Sequence, residues 1–231
     1  MKPVHKNAAA CAFAGGFTVM LQDKPIMTPA KAPLVLRSGA LAEAIAAEWR
    51  AQGDRIKPAE LPLTRIASTA IDRVQPHRMA VVREIAKYAG TDLVCYRAER
   101  PPELAERQRQ AWQPILDWAA SRYAPLTVTQ GVAPVTQPAP SLAAYAAAVE
   151  AYDAMLLTAL SMATPALGSL VLALALFEGR IGPEEAFAAA ELDQTFQIEQ
   201  WGEDPEQAKR RAGIRAEIDL VSRFIVLHRT A

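Results

Sequence analysis

The sequence predicts an α+β protein, a small N-terminal β-containing unit followed by a mainly α-helical C-terminal domain. Three observations carry this. A glycine pair, Gly15-Gly16, opens the run Phe17-Thr18-Val19-Met20-Leu21, whose aromatic and β-branched residues suit a pleated surface. Beyond residue 75 alanine-rich stretches recur between prolines and glycines placed where helices start and stop. Hydrophobic residues are 51% of the 231, enough to build a core without disulfides or metals.

In order, the first strand runs from Gly15 to Leu21, Gln22-Asp23-Lys24 forms a turn, and Pro25 to Pro29 returns as a second short strand. Pro25 belongs at a strand start or edge, because it has no N–H to give the ladder. Pro33 to Leu36 is a third extended piece. Ser38 caps a helix from Gly39 to Gln52, closed by Gly53, with Leu41, Ala44, Ile45, Glu48 and Trp49 at helical spacing. Pro58 to Val74 holds a second helix with Pro62 near its start, since an interior proline breaks the ladder. Pro76 opens a third, ending at Gly90. The expected division is therefore a mixed β/α domain over residues 1–75 and a helical domain over 76–231.

In the second part, Leu93 to Tyr96 reads as a short extended link and Pro101 to Tyr123 as a helix kinked at Pro114. Leu126 to Val132 is β-like, and Pro134 to Pro140 is a proline-rich loop. Ser141 caps a long helix to about Met162, and Leu167 to Glu178 forms a very apolar one. Gly182-Pro183-Glu184-Glu185 starts a helix that runs to Trp201 and stops at Gly202. Asp204 and Gln207 stand at capping-box spacing and begin the last helix, with His228 in its final turn.

Composition and motifs exclude several functions. Lys+Arg and Asp+Glu are 25 each, so there is no cationic excess of the kind a general nucleic-acid binder needs. Cys11 and Cys95 match no zinc or redox spacing and read as free thiols of a reducing compartment. His5, His77 and His228 are far apart, so no local metal site and no cofactor is expected. Ala154 to Phe177 lacks charge, but Pro165 and Gly168 split it into two buried helices, so no membrane insertion is expected. Residues 8–13 are too weakly apolar for an export signal, and without a transit peptide a bacterial cytoplasmic protein is expected, or a mitochondrial-matrix one for a eukaryotic relative. No P-loop, dinucleotide fingerprint or Gly-x-Ser-x-Gly elbow is present, and Ser169 reads as a helix cap.

Glu199 breaks a local rule. It lies in the last turn of a helix, where a carboxylate faces the negative end of the dipole. Trp201 and Glu203 follow it. Either Glu199 is a functional residue, or it pairs with an arginine such as Arg210 or points into water. A small-molecule enzyme using Glu199 and Glu203 with Arg107 or Arg109 would need carboxylates whose pKa values split.

Several ordered motifs also resemble those of the F1-ATPase alpha-subunit assembly chaperones. They are Gly16 to Leu21 with Lys24-Pro25-Ile26-Met27-Thr28-Pro29, Leu41 to Trp49, Leu61 to Ala67, Ala70-Ile71-Asp72 and Thr91 to Arg97. Trp112 to Trp118, Gly168 to Ala175 and Glu199-Gln200-Trp201-Gly202-Glu203 complete the set. Gln22-Asp23 departs from the family's usual Asp-Gly turn, and Val4-His5 from its usual aromatic. The resemblance implies a two-part fold. It also implies a non-enzymatic chaperone that holds the unassembled alpha subunit of F1 soluble. It makes Glu199, with Trp201 and Glu203, the client-binding residues.

Overall fold

The computed structural model of the protein describes residues 4–131 and 133–230. Lys2, the side chain of His5 and Val132, which the sequence reading touches, lie outside the described residues. By internal contacts the chain forms two compact units: Met1–Arg78 with Asp153–Ala159 and Arg223–Ala231, and Met79–Tyr152 with Leu160–Ser222.

The first unit is built on an antiparallel sheet of β1 (Ala8–Phe13), β2 (Gly16–Leu21) and β3 (Lys24–Pro25), in that order. The β1 register runs from Ala8 opposite Leu21 to Phe13 opposite Gly16. The two-residue turn between them puts Ala14 at φ 49° and Gly15 at φ 79°, the positive pair that matches the twist of a hairpin. Gln22 opens the next turn at φ 58°. Thus the Gln-Asp pair still reverses the chain, with glutamine in a conformation more often taken by glycine. The expected second strand shortens to Lys24–Pro25, and Met27–Pro33 and Phe17–Leu36 bridges carry on the pairing. Strand β1 was not expected from sequence, because alanine favours strands weakly; its pairing with β2 overrides that preference.

Helix α1 (Gly39–Ala51) lies on the sheet, burying Leu41, Ala42, Ile45 and Ala46. Ser38 caps it, its hydroxyl accepting from the Leu41 N–H at 3.3 Å and donating to the Leu227 carbonyl at 2.6 Å. The single helix expected over 58–74 divides. A 3-10 turn at Pro58–Glu60 precedes α2 (Pro62–Thr69), which Pro62 opens, and a π-type turn over Ala70–Val74 follows. Glu48 supplies the acceptor that the start of α2 lacks, taking the N–H groups of Leu63 and Thr64 at 2.7 and 3.0 Å.

In the second unit α3 (Arg78–Ala86, starting at the last residue of the first) leads through a 3-10 turn to Asp92. Residues 93–95 form another 3-10 turn rather than an extended link, because the Asp92 carboxylate accepts from the Val94 N–H. Strand β4 (Tyr96–Arg97) then pairs in parallel with β5 (Thr129–Gln130). Helix α4 (Pro102–Arg122) continues through Pro114. Trp112, fully buried, donates its indole N–H to the Ala189 carbonyl at 2.9 Å.

The long helix expected from Ser141 to Met162 is two: α5 (Ala139–Glu150) and α6 (Ala154–Leu167). Ser141 lies inside α5 and donates to the Pro125 carbonyl instead of capping. Asp153 caps α6, accepting from the Leu156 N–H at 2.9 Å. Helix α7 (Leu170–Phe177), buried along its whole length, packs against α4 and against α8 (Pro183–Ala190). As expected, Ser169 caps it, accepting from the Leu172 N–H at 2.9 Å. Among the described residues no helix is long and apolar enough to cross a membrane.

Candidate functional site

The helix expected from Pro183 to Trp201 is broken at Glu191 into α8 and α9 (Leu192–Trp201). A tertiary clamp accounts for the break. The Glu191 carboxylate is buried and accepts from Arg210 at 2.8 Å and Arg211 at 3.1 Å, both on α10 (Pro205–Arg229). Arg211 also donates to Thr195 at 3.1 Å. The pairing of Arg210 with Glu191 means that Arg210 is not the partner of Glu199.

That partner is Arg107 of α4, which donates to Glu199 at 2.6 Å and lies 5.2 Å over the Phe196 ring. Phe196 is buried, so α9 is anchored on one side while its C-terminal turn faces solvent. Gly202, at φ 84°, ends α9 with its N–H on the Ile198 carbonyl at 2.8 Å. Asp204 at once begins α10, accepting from the N–H groups of Glu206 and Gln207 at 2.8 and 2.9 Å. Between the two caps Glu203 meets Arg211 at 3.3 Å.

This tight turn holds Trp201 out from the surface, 79% exposed. A recess of about 370 Å³ lies beside it, lined by Gln197, Ile198, Gly202, Glu203, Asp204 and Gln207. The three sequence-predicted residues therefore share one turn. Trp201 offers a large apolar surface, and Glu199 and Glu203 are carboxylates each neutralised by an arginine of the same chain. An exposed tryptophan with exchangeable ion pairs beside it can seat a partner protein. Among the described residues no three His, Cys, Asp or Glu side chains are placed to hold a metal ion.

Solved structures resemble the chain over 96% of its length. The Atp12 protein of Paracoccus denitrificans matches at 41% identity and TM-score 0.93, with 96% of its own chain covered. A family model described as ATP12 chaperone protein matches residues 2–120. The chain belongs to the ATP12 chaperone family. An aspartate-to-lysine mutant of the Paracoccus Atp12p matches equally well, at 41% identity and TM-score 0.93 with 95% of that chain covered. Atu1473 of Agrobacterium tumefaciens, named as a candidate chaperone, matches at 39% identity and TM-score 0.90 with 84% of its chain covered. Within this ATP12 chain, Glu199, Trp201 and Glu203 lie beyond the stretch that the family model matches.

Sequence reasoning missed a second set of polar residues, all in the second unit. Asp92, fully buried, accepts from the Ser169 hydroxyl and from the Val171 N–H at 3.0 Å. Burial pushes its carboxyl up to about 6, against the lowering effect of those hydrogen bonds. Burial also pushes the neighbouring Cys95 thiol up to about 12, and the Asp92 charge adds to it. Farther along, Gln108 bonds Asp193 at 2.7 Å and the Ala98 N–H at 2.7 Å, while Arg97 donates to the Gln108 carbonyl at 2.8 Å and lies over Trp112. The Asp92 bonds tie the turn after α3 to the start of α7, and the Gln108 bonds tie β4, α4 and α9 together. Gly168-Ser169 was read correctly as a cap without its link to Asp92, and the Thr91 to Arg97 and Trp112 to Trp118 motifs held further members of the set without showing what they contact.

Proposed function

We propose that this chain is an assembly chaperone for F1-ATPase that binds the unassembled alpha subunit and keeps it soluble until a neighbouring subunit takes its place. The observation that carries the reading is the likeness to Atp12 over 96% of the chain. An unassembled subunit exposes an apolar face that aggregates, and a protein that covers this face must later let go. The Trp201 turn suits that task. The indole supplies apolar contact, and the Arg107–Glu199 and Arg211–Glu203 pairs can be exchanged for a client cation without leaving a buried charge unpaired. On this reading Glu199, Trp201 and Glu203 are client-binding residues, the chain does no catalysis, and it works in the bacterial cytoplasm.

Co-expression with an F1 alpha subunit tests this. Alpha should move from the aggregated to the soluble fraction and co-purify with the chaperone. Alpha that is equally insoluble with and without it would overturn the reading.

A further inference from the structure

Among the described residues the sheet of the first unit has an open edge at β1. Phe17 exchanges both backbone hydrogen bonds with Leu36 at 2.8 Å, and the Val19 carbonyl accepts from Ile26 at 2.9 Å. Residues 17 and 19 therefore face away from β1, and 16, 18 and 20 face toward it, because direction alternates along a strand. By the β1–β2 register, Ala9, Cys11 and Phe13 bond to β2, and Ala8, Ala10 and Ala12 point their N–H and C=O groups outward. The Ala8 carbonyl bears this out, since it accepts from Arg50 at 2.8 Å, off the ladder. Among the described residues the outward groups of Ala10 and Ala12 have no partner.

Such an edge is normally blunted by a lysine, a proline or a bulge. Here β1 carries none of these, and the only charge between Met1 and Gln22 is cationic, on Lys2 and Lys6. Ala10 is half-buried and Ala12 exposed, and their methyl groups let another backbone approach closely.

We propose that β1 is a second contact for the client, accepting an extended segment of the alpha subunit, uncharged where it pairs with Ala10 and Ala12, as an added strand. This rests on the function proposed above. The end of the segment that meets Lys6 carries an acidic side chain, matching the exposed cation there. A second copy of this chain is the weaker occupant. Pairing two such short strands falls well short of the roughly 1,000 Å² that a stable interface buries. A client already gripped at another place needs only a short ladder to add its hold.

Hydrogen exchange on the chaperone alone and on its co-purified complex with alpha reads the two outward N–H groups directly. The amides of Ala10 and Ala12 should exchange rapidly in the free protein and at least tenfold more slowly in the complex. Ala10→Pro removes an outward N–H without touching the β1–β2 bonds. It should cut the recovered soluble alpha several-fold. If the wild type holds alpha while both amides stay unprotected, the strand proposal fails and the chaperone reading stands. Protection that rises with concentration in the free protein would show a second copy on the edge and also overturn it. If the wild type does not hold alpha, both proposals fall together.

Discussion

Replacing Glu199 by lysine separates a binding role from a structural one. The carboxylate pairs with Arg107 at 2.6 Å, with the two side chains 43% and 48% exposed. An ion pair that open to solvent contributes about 0.2–1 kcal/mol. The reversal loses it and sets two cations side by side. Against that, a lysine in the last turn of α9 replaces an anion at the negative end of the helix dipole, a gain of about 0.3–1 kcal/mol. Arg107 keeps its contact with the Phe196 ring at 5.2 Å. The opposing terms leave stability within about 1 kcal/mol of wild type, a shift of about 2–4 °C at most for a chain of this size. If Glu199 contacts the client, losing a central charged contact costs about 2 kcal/mol or more, on the order of thirtyfold in affinity. Melting temperature and recovery of soluble alpha subunit, measured on the same variant, check both halves. Undiminished recovery would refute the binding role, and a collapse of the melting temperature would show that the pair with Arg107 is structural.

Three further outcomes are expected. Asp92 has a folded pKa of about 6 above its ordinary 3.8, so its contribution to stability is full below about 4 and is lost as pH rises through about 6. Chemical denaturation of wild type and Asp92→Asn at pH 4 and pH 7 should show the wild type alone losing this contribution, on the order of 3 kcal/mol, between the two; parallel pH dependences would refute it. A Cβ on Gly16 would sit 2.4 Å from the Leu36 carbonyl oxygen, a backbone atom that cannot swing aside. Gly16→Ala should therefore cost about 1–3 kcal/mol in denaturant unfolding, and an unchanged midpoint would contradict it. Cys11 is half-exposed and Cys95 buried with its thiol raised to about 12, so a thiol-alkylating reagent should label Cys11 alone in the folded protein and both after unfolding, as read by mass spectrometry.

Much of the punctuation of the chain is determined by the sequence itself. Ser38, Ser169, Pro183 and Asp204 start their helices as their residue types predict, because a cap acts on N–H groups within about three residues of itself. The turn carrying Trp201 was legible for the same reason, since Gly202 and Asp204 define it locally. What escaped depends on partners far along the chain. Alanine-rich β1 is a strand only because β2 pairs with it, and Glu191 breaks a helix only because Arg210 and Arg211 hold it. Arg107 reaches Glu199 across 92 positions, and Asp92 reaches Ser169 across 77. Residues 153–159 and 223–231 join the first unit despite lying late in the sequence, where the His228–Asp153 contact at 2.9 Å belongs to both segments. A local rule weighs the energy of a residue against its neighbours in sequence. Charge pairing and burial depend on neighbours in space, and these exist only once the tertiary structure has formed.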